Sequence, residues 1–321
     1  MMIRLISGLG ILSLLAAVPC GAMPSPAYGT APSEKITVYI LAGQSNAVGY
    51  NHIHEYHGDT ADLSRQLKGI SDILFWPGTN ALSGAARQWT GLRPGLSAIA
   101  AEESYRSGCF GPEIGFAIKL RELDPDGKIA IIKYAEGATG IARSSDYNDY
   151  IPALKGFDDK GNNWAPPEKG KPAGKLYTGL LENIRLALAG LDGKKIPYRI
   201  GGFIWMQGEH EAGISPTMAG EYGTILSGFI RSVRKDLSNN DLPFLIGEIN
   251  SHTWAFGDLA RARQAAVCFE DPHNFLVKSA DLPRKGVGNL AHFDADGMLE
   301  LGKRFGSAAW QAAGITNDKP F

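Results

Sequence analysis

Apolar runs of strand length alternate with helical patterns along most of this chain, which restricts it to a small set of architectures. The runs are Ile36-Thr37-Val38-Tyr39-Ile40, Ile129-Ala130-Ile131-Ile132, Ile200-Gly201-Gly202-Phe203-Ile204-Trp205, Phe244-Leu245-Ile246 and Phe275-Leu276-Val277. Between them Leu176, Leu180, Ile184 and Leu188 recur at helical spacing, as do Tyr222, Ile225, Leu226, Phe229, Ile230 and Val233, and Met298, Leu301 and Phe305 continue the pattern near the end. The expected fold class is α/β, a three-layer α/β/α sandwich around a parallel sheet of about five strands, with ligands beyond the carboxyl ends of the strands. Ser45 and Gln207 fall at such ends. Residues 50–110 and 143–175 fit the alternation poorly and are expected to form long loops walling a cleft.

Arg4, the apolar stretch Leu5 to Val18 and the small residues Cys20-Gly21-Ala22 have the three-part pattern of a secretory signal, expected over residues 1–22. Ser7, Gly8, Gly10 and Pro19 interrupt or end the stretch, which favours a cleaved signal over a membrane span. The expected localisation is secreted or periplasmic, with one domain over residues 33–315. A net charge of -1, from 32 basic and 33 acidic residues, gives no electrostatic footprint for nucleic acid or an anionic membrane surface and suits a neutral substrate. Beyond the signal stand Cys109 and Cys268, which either pair in an oxidising compartment or are separately buried thiols.

Leu41-Ala42-Gly43-Gln44-Ser45-Asn46 ends the first apolar run, and His292-Phe293-Asp294 stands far downstream. A buried strand ending in glycine, a polar residue and a serine is a way to present a nucleophile, and a serine hydroxyl needs a base to take its proton. Gly43-Gln44-Ser45-Asn46-Ala47 lacks the second glycine of the general nucleophile elbow. Taken alone, Ser45 is equally a helix cap.

Gly111-Pro112-Glu113 opens a helical segment, Trp205-Met206-Gln207-Gly208-Glu209 leaves a strand, and His292-Phe293-Asp294 precedes Gly297 and Leu301-Gly302. With the Gly-Gln-Ser-Asn block these segments resemble the SGNH (GDSL-like) hydrolases, in the branch of sialate O-acetylesterases and carbohydrate acetylesterases such as acetylxylan esterases. The resemblance spans roughly residues 36–312 and implies a flavodoxin-like SGNH fold, a carboxylic ester hydrolase, an acetylated carbohydrate as partner and no cofactor. It implies Ser45 as nucleophile and His292 as general base, with an oxyanion hole from Ser45 N–H, Gly111 N–H and the Gln207 amide. Gly111 is also a plausible helix start with Pro112 at its first position, and Gln207 a plausible ligand of loop backbone.

The third triad position departs from the family pattern. Many relatives have aspartate three residues before the histidine, where this chain has Asn289, an amide able to orient the ring but not to balance its charge. Other members use a glutamate just after the Gln-Gly pair, so Glu209 is the expected acid, with Glu248 and Asp294 as fallbacks. On that expectation Glu209→Gln nearly abolishes activity.

His52, His54, His57 and His210 lack the His-Glu-x-x-His spacing that puts two ligands on one helical face, so no metal is expected. Trp164 is a candidate to stack on a sugar or to pack its loop down. Arg261 and Gln264 resemble a family Arg-x-x-Gln that supports the site, Asp258 is a candidate cap for their helix, and Arg143 or Arg284 in the cleft would favour a sialic acid carboxylate. The expected function is removal of O-acetyl groups from carbohydrates through an acyl-enzyme on Ser45. The alternatives are an esterase for other small acyl esters, or a carbohydrate-binding protein weakened in catalysis by Asn289.

Overall fold

Ile36–Gly43 forms β1, buried along its whole length. Its alternate residues divide between two cores, as the two-residue period of a strand requires. Tyr39 and Leu41 join Ile114, Phe116, Met298, Leu301 and Phe305 on one face. Val38, Ile40 and Ala42 join Leu180, Trp205, Phe229 and Phe244 on the other. The computed structural model describes residues 35–78, 87–96, 108–147, 149, 161–250, 253–286 and 289–315; the expected signal at residues 1–22 lies outside them.

The other strands are β2 (Asn51–His52), β3 (Leu74–Pro77), β4 (Thr90–Gly91), β5 (Cys109–Phe110), β6 (Ile129–Ala135), β7 (Tyr198–Met206), β8 (Phe244–Gly247) and β9 (Asn274–Val277). Among the described residues the central sheet has seven strands in the order β4-β3-β6-β1-β7-β8-β9, and β2 pairs with β5 apart from it. Every neighbouring pair from β3 to β9 is parallel, while β4 runs antiparallel to β3 at the edge. The expected five strands are thus the middle and one flank of a larger sheet. β2, β3, β4 and β5 all come from the 50–110 stretch expected to be loop.

The five expected strands stand in the flavodoxin-like order, β6-β1-β7-β8-β9. The chain leaves β1 for β6 on one side and returns to β7 on the other, so a crevice opens at the carboxyl ends of β1 and β7. Eight α-helices are described: α1 (Ser45–Val48), α2 (Thr60–Gly69), α3 (Pro112–Leu123), α4 (Lys175–Gly193), α5 (Glu209–Ile214), α6 (Pro216–Asp236), α7 (Gly257–Glu270) and α8 (Ala295–Ile315). The core memberships of Phe116 and Phe305, against Leu180 and Phe229, put α3 and α8 on one face and α4 and α6 on the other. None of these helices is long and apolar enough to cross a membrane.

Candidate active site

β1 and β7 end side by side, and the backbone there is too close for a side chain. Gly43 has φ 140°, and a Cβ on it would lie 2.0 Å from Met206 O; only glycine tolerates both conditions. Gln44 N donates to Met206 O at 2.9 Å, and Gln44 Oε1 accepts from His210 N at 3.3 Å. This fixes the start of α1, whose first residue is Ser45. Ser45 is 9% exposed, so its hydroxyl keeps a narrow access to solvent. Among the described residues nothing accepts the Ser45 N–H.

His292 lies in the segment leading to α8. Its Nδ1 is 2.5 Å from Asn289 Oδ1, so the amide oxygen accepts Nδ1–H and Nε2 is left as the basic nitrogen. Tyr50 packs edge-on against the ring, centroids 5.0 Å apart. Burial, and secondarily the charge of Lys285, push the imidazole pKa down to about 4. The ring is therefore neutral at ordinary pH, as a general base must be.

The serine and histidine segments are joined by Asn46. Its Nδ2 donates to Ala291 O at 3.1 Å and its Oδ1 accepts from Phe293 N at 3.4 Å, so one amide grips the backbone on both sides of His292. No hydrogen bond joins Ser45 Oγ to the imidazole itself, a bond that in many hydrolases tightens only with substrate seated.

Glu209 does not occupy the place expected of a triad acid. Its Oε1 accepts from Asn46 Nδ2 at 2.9 Å, its buried Oε2 has no hydrogen-bond partner among the described residues, and Asn289 holds the ring nitrogen an acid would hold. Burial raises the Glu209 pKa to about 7, with the Asn46 hydrogen bond opposing. The fallback acids are committed elsewhere. Glu248 binds Arg261 at 3.0 Å, Lys278 at 3.1 Å and Ser279 N at 3.3 Å, and Asp294 Oδ1 accepts from Gly297 N at 2.8 Å in the first turn of α8.

Two of the three expected oxyanion donors are also engaged. Gln207 gives both amide hydrogens away, to Thr139 O at 3.1 Å and to Glu211 Oε2 at 2.6 Å, while Tyr222 Oη donates to its Oε1 at 2.9 Å. Glu211 also accepts from Ile141 N at 2.6 Å and Ala142 N at 3.2 Å, so Gln207 and Glu211 together fasten the 139–142 loop to the end of β7. Gly111 N donates to Glu113 Oε1 at 2.9 Å. A Cβ on Gly111 would lie 2.7 Å from both Val48 O and Lys133 Nζ, so packing alone demands glycine there. Ser45 N–H is the donor of the three without a partner.

Asn46, Glu211 and the buried pair Lys133–Glu113 were missed as contributors. Asn46 and Glu211 stand inside or beside the quoted motifs, but nothing in sequence shows whom a side chain 163 or 245 residues away meets. Lys133 Nζ donates to Glu113 Oε2 and to Val48 O, each at 2.7 Å, bracing the end of α1 from β6.

The remaining residues read from sequence divide clearly. Trp164 is fully buried, donates Nε1–H to Thr139 Oγ1 at 2.9 Å and packs edge-on against Tyr134 and Trp205; it packs its loop and offers no face to a sugar. Gln264 donates to Gln207 O and Gly247 O and accepts from Ile249 N, tying β7 to β8 beneath the site. Asp258 lies inside the first turn of α7, whose cap residue is Phe256. Arg143 donates to Pro166 O and Pro172 O, and Arg284 to Ala280 O. His52 stacks on His54 and lies 3.5 Å from Cys109 Sγ, and His57 pairs with Asp296. Among the described residues no three His, Cys, Asp or Glu side chains gather as a metal site, and no disulfide joins Cys109 and Cys268.

Comparison with known proteins agrees with this architecture. A protein from Arabidopsis thaliana solved at 1.6 Å superposes with a TM-score of 0.61 at 20% identity, covering 86% of this chain and 98% of that one. XAC1771, described as a novel carbohydrate acetylesterase from Xanthomonas citri, gives 0.54 at 17% identity, covering 87% of this chain and 56% of that one. NanS gives 0.54 at 14% identity, covering 88% and 98%. At these identities the likeness is one of fold. No curated protein sequence matches the chain significantly. A family profile described as carbohydrate esterase, sialic acid-specific acetylesterase, matches residues 35–311. Spanning β1 through most of α8, that match makes this chain a member of the sialic acid-specific acetylesterase family of carbohydrate esterases.

Proposed function

We propose that the protein is a serine esterase that removes O-acetyl groups from a carbohydrate through an acetyl-enzyme on Ser45. The observation that carries this reading is the Asn46 amide, which holds the serine turn and the His292 segment together at the carboxyl edge of the sheet. In the proposed cycle Ser45 Oγ attacks the acetyl carbonyl carbon as His292 Nε2 takes the hydroxyl proton. The tetrahedral intermediate expels the sugar oxygen, which receives that proton, and water then repeats the sequence to release acetate and free Ser45. Ser45 N–H is the donor available to the oxyanion. The amide of Gln207 serves only if substrate displaces one of its present partners. Asn289 orients His292 in place of an acid.

Export, proposed from residues 1–22, fits an enzyme acting on extracellular carbohydrate. The test is acetate release from acetylated sialic acid, acetylated xylan and peracetylated simple sugars, against longer-chain nitrophenyl esters. The reading predicts turnover of acetylated sugars that Ser45→Ala and His292→Ala remove. Preference for long acyl chains would favour a general esterase, and sugar binding without hydrolysis would favour a binding protein.

A further inference from the structure

Asn46 is fully buried and uses its whole amide. One hydrogen goes to Glu209 Oε1, the other to Ala291 O, and the oxygen accepts from Phe293 N. Among the described residues the bonds to Ala291 O and Phe293 N are the only hydrogen bonds between residues 44–48 and residues 289–294. The histidine segment is held on its far side by Asn250 Nδ2 on Leu290 O at 3.0 Å, Lys285 N on His292 O at 3.0 Å and Asp294 N on Pro283 O at 3.2 Å. None of those bonds reaches the serine turn.

Resting on the esterase reading above, we propose that Asn46, anchored by Glu209, is the positioning residue that sets the approach of His292 to Ser45. Asn46 directly follows the nucleophile in α1, so any shift of its amide relative to residues 291–293 changes the separation of hydroxyl and imidazole. An amide is suited to this task because it donates and accepts at once, matching a carbonyl before the histidine and an N–H after it. Glu209 accepts the second hydrogen and fixes the amide's orientation. This gives the buried carboxylate a role one residue removed from the ring.

The experiment measures kcat and KM for acetate release from 4-nitrophenyl acetate, per active site titrated to completion with a fluorophosphonate, with Tm for each variant. Asn46→Asp keeps the size of the side chain and an acceptor for Phe293 N–H while removing the amide hydrogens. It is expected to lower kcat about a hundredfold, the order of loss from an ångström of misplacement, with KM changed by no more than about threefold. Glu209→Ala is expected to lose kcat comparably, and Glu209→Gln, whose carbonyl oxygen still accepts from Asn46, to recover most of it. The double variant Asn46→Ala/Glu209→Ala is expected to be no worse than Asn46→Ala, since both act through one link. An Asn46→Asp kcat within about twofold of native, or a loss fully explained by fewer titratable sites, overturns the proposal. Failure of the native enzyme to release acetate, or survival of activity in Ser45→Ala, instead overturns the esterase reading beneath it.

Discussion

Nδ1 of His292 and Oδ1 of Asn289 stand 2.5 Å apart, so the residue proposed as general base is held by a neutral amide where a carboxylate would also balance its charge. Burial, and secondarily the charge of Lys285, lower the imidazole pKa to about 4. Only the neutral ring accepts the serine proton, so the acid limb of kcat/KM is expected near pH 4. Asn289→Asp supplies an anion that favours imidazolium and should move that limb up by about 1 to 3 pH units. A pH profile of the variant that overlays the native one would show that Asn289 does not govern the ring.

Glu209 gives a second pH signature, in stability. Its folded pKa of about 7 lies above its ordinary value of 4.5, so its contribution is present below pH 4.5 and is lost as pH rises through 7. Glu209→Gln has no such titration and should become more stable relative to the native protein across that window, by up to about 3 kcal/mol. Thermal unfolding of both proteins between pH 4.5 and 8 checks this. Parallel curves would mean that the carboxyl does not titrate there.

The salt bridge Lys133–Glu113, with both side chains 2% exposed, braces α1 through Val48 O and the Gly111 turn through its N–H. Lys133→Met leaves Glu113 buried without its cation and should cost about 3–5 kcal/mol in urea unfolding. Adding Glu113→Gln, which still accepts from Gly111 N, should restore part of the loss. A single variant of native stability would contradict the buried-pair account.

The five expected strands were legible because each carries a run of mainly apolar residues, as strands largely buried in a parallel sheet do. β3 was missed because Leu74–Pro77 ends in proline, a residue that argues against a strand, and is followed directly by Gly78. That the Ser45 and His292 segments meet was legible from motif and position; their roles are those we propose. The places of Glu209, Gln207 and Gly111 were not, because each depends on which hydrogen-bond partner the fold delivers. Glu209 meets Asn46 across 163 residues of sequence, and Gln207 meets Glu211 only because the β7–α5 connection turns their side chains together.

The most direct test of the account is to quench the enzyme during turnover of 4-nitrophenyl acetate and locate the acetyl group by peptide mass spectrometry. One acetyl on the Ser45 peptide, absent in Ser45→Ala and strongly reduced in His292→Ala, is the predicted result. Turnover with no acetyl on Ser45 at any quench time, or equal labelling without His292, would contradict it.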